Sequence, residues 1–105
     1  MGTRERLFPL HELAPGTSRA VEVAGRRMAV VRIDDDVYAL DDRCTHQDIA
    51  LSEGDVLVEE RQIECWKHGS AFSLATGVPS SLPATKAVAT YDLDVVDGDV
   101  WVVIP

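Results

Sequence analysis

A chain of 105 residues with a formal net charge of −8 has room for one domain, not for a catalytic domain beside a cofactor domain. The acidity excludes nucleic acid as a partner, and no apolar stretch approaches the roughly 20 residues that span a membrane as a helix. The start, Met1-Gly2-Thr3-Arg4-Glu5-Arg6, shows no apolar leader, so a cytoplasmic, reducing setting is expected.

In chain order the pattern is mostly strand. Leu10 to Leu13 reads as a single helical turn before Pro15-Gly16. Val21-Glu22-Val23 alternates, as does Met28 to Ile33, with Gly25 marking the turn between them. Val37 to Leu40 follows an Asp34-Asp35-Asp36 turn. Tyr91 to Val96 and Asp99 to Ile104 flank Asp97-Gly98, a strong hairpin signal. No long amphipathic helix, repeat or low-complexity tract occurs. The fold class expected is all-β: an antiparallel sandwich or barrel base built from both chain ends, with a section of about 43–83 inserted between them, the whole (1–105) forming one domain.

Charge is uneven along the chain. Residues 1–33 carry net +3, residues 34–64 net −9 and residues 65–105 net −2. Such a surface either keeps a small domain in solution or steers it to basic patches on a partner. Arg43 and Lys67 run against the acidic trend around them.

The chemistry concentrates in Cys44-Thr45-His46 and Cys65-Trp66-Lys67-His68. The first reads C-x-H; after eighteen residues the second reads C-x-x-H. These are the only two cysteines and two of three histidines. One thiolate and one imidazole from each loop suggest a single metal centre, in the ligand order of a Rieske [2Fe–2S] site. Two ferric ions, two sulfides and two thiolates sum to zero charge when neutral imidazoles complete the set. An added electron then costs less than in an all-thiolate cluster. The potential range is about −150 to +300 mV, against about −400 mV for plant-type ferredoxins. A disulfide or a zinc site are the competing readings. A reducing compartment disfavours the first, and zinc pairs more often group like ligands together. His11 lies in a polar turn and reads as an ordinary surface histidine.

Two stretches, DDVYALDDRCTHQDIALSEGDV and QIECWKHGSAFSLATGVPSSLPATKAVATYDLDVVDGDVWV, resemble the bacterial Rieske ferredoxins from about Val21 onwards. The resemblance implies that Cys44 and Cys65 bind a buried iron and His46 and His68 an outer one. It places Ser70, Phe72 and Pro83 close to the cluster. With His46 and His68 as the electron exit, the neighbouring Gln47, Trp66, Lys67 and Gly69 are expected to form the docking surface. Ser70 matches a serine that donates to a bridging sulfide, whereas Phe72 stands where a tyrosine donates to a cysteine sulfur. One donor kept and one lost implies the lower part of the potential range. Ile49 and Lys67 occupy positions where respiratory Rieske proteins carry two further cysteines, so no bridge between the loops is expected. Trp66 stands where many members have proline; a tryptophan is more often buried packing than an exposed anchor.

The function implied is that of a soluble, monomeric one-electron carrier and not an enzyme. It would take electrons from a flavin-containing NAD(P)H reductase and pass them to the terminal oxygenase of a ring-hydroxylating, non-haem iron system. Two alternatives stand beside this. One is a carrier linked to iron–sulfur cluster assembly, suggested by actinobacterial ferredoxins similar around Gln62 to Trp66. The other is a protein like the small subunit of nitrite reductase, against which the four intact ligands argue.

Overall fold

Strand β3, Arg26–Ile33, is apolar on both sides, and the rest of the molecule is arranged around that fact. In the computed structural model, which describes residues 3–43, 49–66, 69–80 and 86–104, Met28, Ala29, Val30, Val31 and Ile33 are all buried. Met28 and Val30 point to one core, with Phe8, Leu13, Ala39, Tyr91, Val100, Val102 and Ile104. Ala29, Val31 and Ile33 point to the other, with Leu40, Leu51, Ile63, Cys65, Phe72, Leu74 and Val88. The predicted strand is therefore present, but its predicted alternation of buried and exposed residues is not. A strand between two cores has no solvent face and reads as a near-continuous apolar run.

The described residues form three antiparallel sheets. β3 pairs with β2 (Thr17–Val23) and β4 (Asp36–Asp41), and β4 with the two-residue β8 (Thr90–Tyr91). One core separates this middle sheet from β1 (Thr3–Pro9), β10 (Asp99–Ile104) and β9 (Leu93–Val96), in the order β1-β10-β9. The other separates it from β5 (Asp55–Leu57), β6 (Gln62–Glu64) and β7 (Ala71–Ser73). The antiparallel all-β class expected from the sequence is the class observed. Both chain ends meet in β1 and β10, whose register runs from Thr3↔Ile104 to Pro9↔Asp99. A register shift between Arg6 and Phe8 and a mostly exposed face hide β1 from pattern reading.

The stretch Tyr91 to Val96, predicted as one strand, is two. Tyr91 pairs with Ala39 in the middle sheet, while Leu93 pairs with Val102 in the outer one. The chain changes sheets at Asp92, whose carbonyl accepts a hydrogen bond from the Val103 N–H at 2.9 Å. Side-chain alternation continues through the crossing, so the sequence shows no break. The helical turn lies where expected, as a 3-10 turn at Leu10–Glu12. His11 is exposed on it.

Two hairpin turns are built on left-handed residue pairs. Asp97 and Gly98 have φ of 51° and 80° between the paired Val96 and Asp99, as a type I′ turn requires and as the dipeptide predicts. Ala24 and Gly25 have φ of 53° and 73° between Val23 and Arg26. Alanine is poorly suited to that region, where asparagine is tolerated. Ala24→Asn is expected to stabilise the protein by about 1 kcal/mol, which thermal unfolding would read as a rise in Tm of roughly 5 °C.

Candidate metal centre

Cys65 stands at the exit of β6, where alternation carries the chain from half-exposed Glu64 to a buried position and on to an exposed one. The Cys65 residue is 1 % exposed, and Trp66 beside it 55 %. Among the described residues, two backbone bonds close the connection to β7. The Cys65 N–H donates to the Ser70 carbonyl at 2.7 Å, and the Gly69 N–H donates to the Cys65 carbonyl at 3.0 Å. Gly69 turns the chain with φ of 74°, and no described residue lies within 4 Å of where an added Cβ would stand. The positive φ is itself a reason for glycine here.

Behind Cys65 the site is apolar. Phe72 is fully buried in the same core as Cys65, paired across the sheet with Ile63. Ser70 is buried at 1 % exposure. The segment after β7 folds back over it: the Ser73 N–H donates to the Val78 carbonyl, the Ser80 N–H to the Ala71 carbonyl, and Phe72 forms a bridge with Pro79. Gly77 makes the turn possible. Its φ is 75°, and an added Cβ would lie 2.1 Å from the Val88 carbonyl oxygen.

The other loop leaves β4 through Asp41, Asp42 and Arg43. Two carboxylates are tied down there. The Asp41 carboxylate accepts the Tyr91 hydroxyl at 2.5 Å. The Tyr91 phenol is held above its ordinary pKa, first by burial and then by its bond to Asp41, with Arg26 pulling the other way. The Asp42 side chain is fully enclosed. It accepts from the Ser52 backbone N–H at 2.6 Å, the Ser52 hydroxyl at 2.9 Å and Arg27 Nε at 2.8 Å. The Asp42 hydrogen bond, and then its charge, hold the Arg27 guanidinium further above its usual range. Sequence reading missed Asp42, Ser52 and Arg27. Asp42 sits in an acidic run and counts there only as charge; nothing local marks it as buried.

Of the expected site residues, the structure thus places Cys65, Ser70 and Phe72 together in or against one core, and Trp66 and Gly69 on the surface above them. Trp66 is exposed, contrary to the ordinary expectation for a tryptophan. Ile49 is half-buried against the core that holds Cys65. Cys44, His46, Gln47, Lys67, His68 and Pro83 lie outside the described residues. Among the described residues no group of three or more His, Cys, Asp or Glu side chains could hold a metal ion, so any such centre draws on that remainder.

Comparison with known proteins accords with this arrangement. A family model for the Rieske [2Fe-2S] domain matches residues 4–92. Ferredoxin CarAc of Metapseudomonas resinovorans is 40 % identical over 92 residues, covering 87 % of this chain and 84 % of that protein. The solved ferredoxin of carbazole 1,9a-dioxygenase from Nocardioides aromaticivorans IC177 superposes with a TM-score of 0.93 at 36 % identity, covering 98 % of each chain. A chain in the complex of reduced oxygenase and oxidised ferredoxin in carbazole 1,9a-dioxygenase superposes with a TM-score of 0.86 at 37 % identity. That match covers 94 % of this chain and 91 % of that one.

Proposed function

Since the chain belongs to the Rieske [2Fe–2S] domain family, we propose that Cys44, His46, Cys65 and His68 hold its cluster within a segment of about 43–83. We propose further that the protein hands single electrons from a flavin-containing NAD(P)H reductase to a terminal non-haem iron oxygenase. The protein is a ferredoxin, an electron-transfer component and not itself a catalyst, and its cofactor is a Rieske-type cluster. Among the described residues no helix is long and apolar enough to cross a membrane; the cytoplasm is the compartment proposed.

The donor set fits the cofactor. Cys65 is buried, as a thiolate shielded from water should be, while its loop turns outward at once through Trp66 and Gly69. Two thiolates and two neutral imidazoles leave the oxidised centre uncharged. When bound, the cluster takes up and releases one electron at a time. The protein's part is to hold the ligands in two loops, keep water from the thiolate side and present the outer edge to a partner. Gln47, Trp66, Lys67 and Gly69 make up the proposed docking edge. An exposed tryptophan supplies the rigid apolar contact that interface centres favour.

The observation that carries this reading is the match to a ferredoxin solved together with its oxygenase. Rapid mixing of the reduced protein with a terminal Rieske oxygenase tests it. Electron transfer is expected, slowed about tenfold or more by Trp66→Ala with the visible spectrum and Tm unchanged. Reduced protein that donates no electron to such oxygenases would overturn the reading, and loss of the cluster in the variant would assign Trp66 to support instead of docking.

Phe72 bears on the potential. A hydrogen bond to sulfur stabilises the more negative reduced cluster, and a phenyl ring offers none. Phe72→Tyr is expected to raise the midpoint potential by about 40 mV, the equivalent of roughly 1 kcal/mol in a one-electron couple. Redox titration at neutral pH checks this; an unchanged or lower value would show that the added hydroxyl finds no sulfur.

A further inference from the structure

We propose that Asp42 is a positioning residue: its carboxylate clamps the neck of the loop carrying Cys44 and His46, and so fixes how that loop presents its ligands. The inference rests on the reading of those two residues as ligands.

The two feet of the loop are Asp42 and Ser52, and the carboxylate joins them directly. One oxygen accepts the Ser52 backbone N–H at 2.6 Å, and the other accepts the Ser52 hydroxyl at 2.9 Å. Two bonds from one residue to one planar acceptor fix rotation as well as distance, which a single bond cannot do. Each foot is also anchored to the middle sheet. The Asp42 N–H donates to the Arg27 carbonyl at 3.0 Å, and the neighbouring Asp41 N–H donates to Ala89 at 2.9 Å. The Ser52 carbonyl accepts the Ser18 hydroxyl of β2 at 2.9 Å. Beside Ser52, Leu51 is fully buried in the core that contains Cys65. The clamp therefore connects the start of the first ligand loop, through one short turn, to the packing around the second.

The chemistry of the clamp points beyond stability alone. A buried carboxylate is costly to desolvate, and a neutral apolar residue would close a core more cheaply. Here the charge is kept and answered by Arg27, whose own side chain is 59 % exposed while that of Asp42 is 0 % exposed. Retaining an ion at such a point gives geometric definition, because its bonds are directional and short. Partners that orient a metal ligand without touching the metal act in the same way, and removing one typically costs about 10–100-fold in metal affinity.

The test compares three holo variants with wild type. Asp42→Asn replaces an acceptor oxygen by a donor amide facing Arg27 Nε and the Ser52 hydroxyl. Ser52→Ala removes only the hydroxyl bond, and Ser52→Thr retains it. Val102→Ala, in the opposite core, serves as a control of comparable thermal destabilisation. Iron release to a chelator, the reduced-state EPR spectrum and the midpoint potential are measured. Asp42→Asn and Ser52→Ala are expected to release iron about tenfold faster or more, with shifted or broadened g-values and an altered potential. Ser52→Thr and Val102→Ala should keep the wild-type spectrum. Equal release rates and unchanged spectra in Asp42→Asn, Ser52→Ala and Val102→Ala would overturn the proposal. Should Asp42→Asn not fold, Ser52→Ala decides by the same comparison. Wild-type protein lacking the EPR signature of nitrogen-ligated iron would overturn the ligand reading first and the clamp with it, a failure visible before any variant is made.

Discussion

Cys65→Ser is expected to abolish cluster binding and to lower the stability of the whole domain. Iron and acid-labile sulfide, two of each per wild-type chain, should fall to near zero, and the visible absorption that bleaches on reduction should disappear. The stability loss follows because ligand binding is also folding energy. Cys65 occupies a fully buried place in a core shared with the middle sheet, so the ligand loop and the sheet behind it are not independent. A loss of about 3 kcal/mol or more is expected, equivalent to a fall in Tm of roughly 15 °C. Iron analysis and thermal unfolding of wild type, variant and chelated wild type measure both parts. Chelated wild type should unfold near the variant. A variant that keeps two irons would remove Cys65 from the ligand set.

Gly54→Ala has the second largest expected effect, and its origin is a collision. Gly54 has φ of −85°, which any residue adopts, so glycine is not required by backbone conformation. An added Cβ would lie 1.7 Å from the Glu64 carbonyl oxygen, a distance that atoms cannot share. The obstructing atom is backbone and belongs to the peptide that leads into Cys65, so it cannot move aside without shifting that residue. A loss of about 3 kcal/mol is expected, with a fall in Tm of roughly 15 °C and faster loss of iron. Gly25→Ala is the comparison. Its φ of 73° strains any side chain, but no described residue lies within 4 Å of the added atom, so only about 1 kcal/mol should be lost. Equal losses in the two variants would deny the close approach of Gly54 to Glu64.

The sequence made the hairpin at Asp97-Gly98 and the all-β class legible because both depend on local chemistry: a turn dipeptide and period-two apolar runs. The Rieske family was legible for a different reason. Rare, chemically distinctive residues in two short motifs carry information that does not depend on folding. The burial of both faces of β3 was not read as such, although the unbroken apolar run of Met28, Ala29, Val30 and Val31 is its signal. The change of sheet at Asp92 was not legible, because it is set by which neighbours are present, not by the residue that makes the crossing. Asp42 was hidden by its neighbours. Asp41 and Asp42 are identical in type and adjacent, yet the latter receives three bonds inside the protein. Trp66 went against expectation for a tertiary reason: the loop that buries Cys65 turns its next residue to solvent.

The two-sided burial of β3 also changes what fixes its alignment with its neighbours. In a strand with one wet face, sliding by a single position would drive polar groups inward and apolar groups into water, and that penalty alone selects the native alignment. Between Met28 and Val31 no such penalty exists, since a one-residue slip would exchange one set of apolar side chains for another across the sheet. Selection must come from the strand's ends. At one end the left-handed pair Ala24 and Gly25 admits a single two-residue closure. At the other, the Arg32 guanidinium donates to the Leu13 carbonyl at 2.8 Å and to the Asp34 carbonyl at 2.6 Å. The informative residues of this central strand are therefore its polar and glycine boundaries, and a library that randomised its apolar middle while sparing them should still recover correctly aligned sheets.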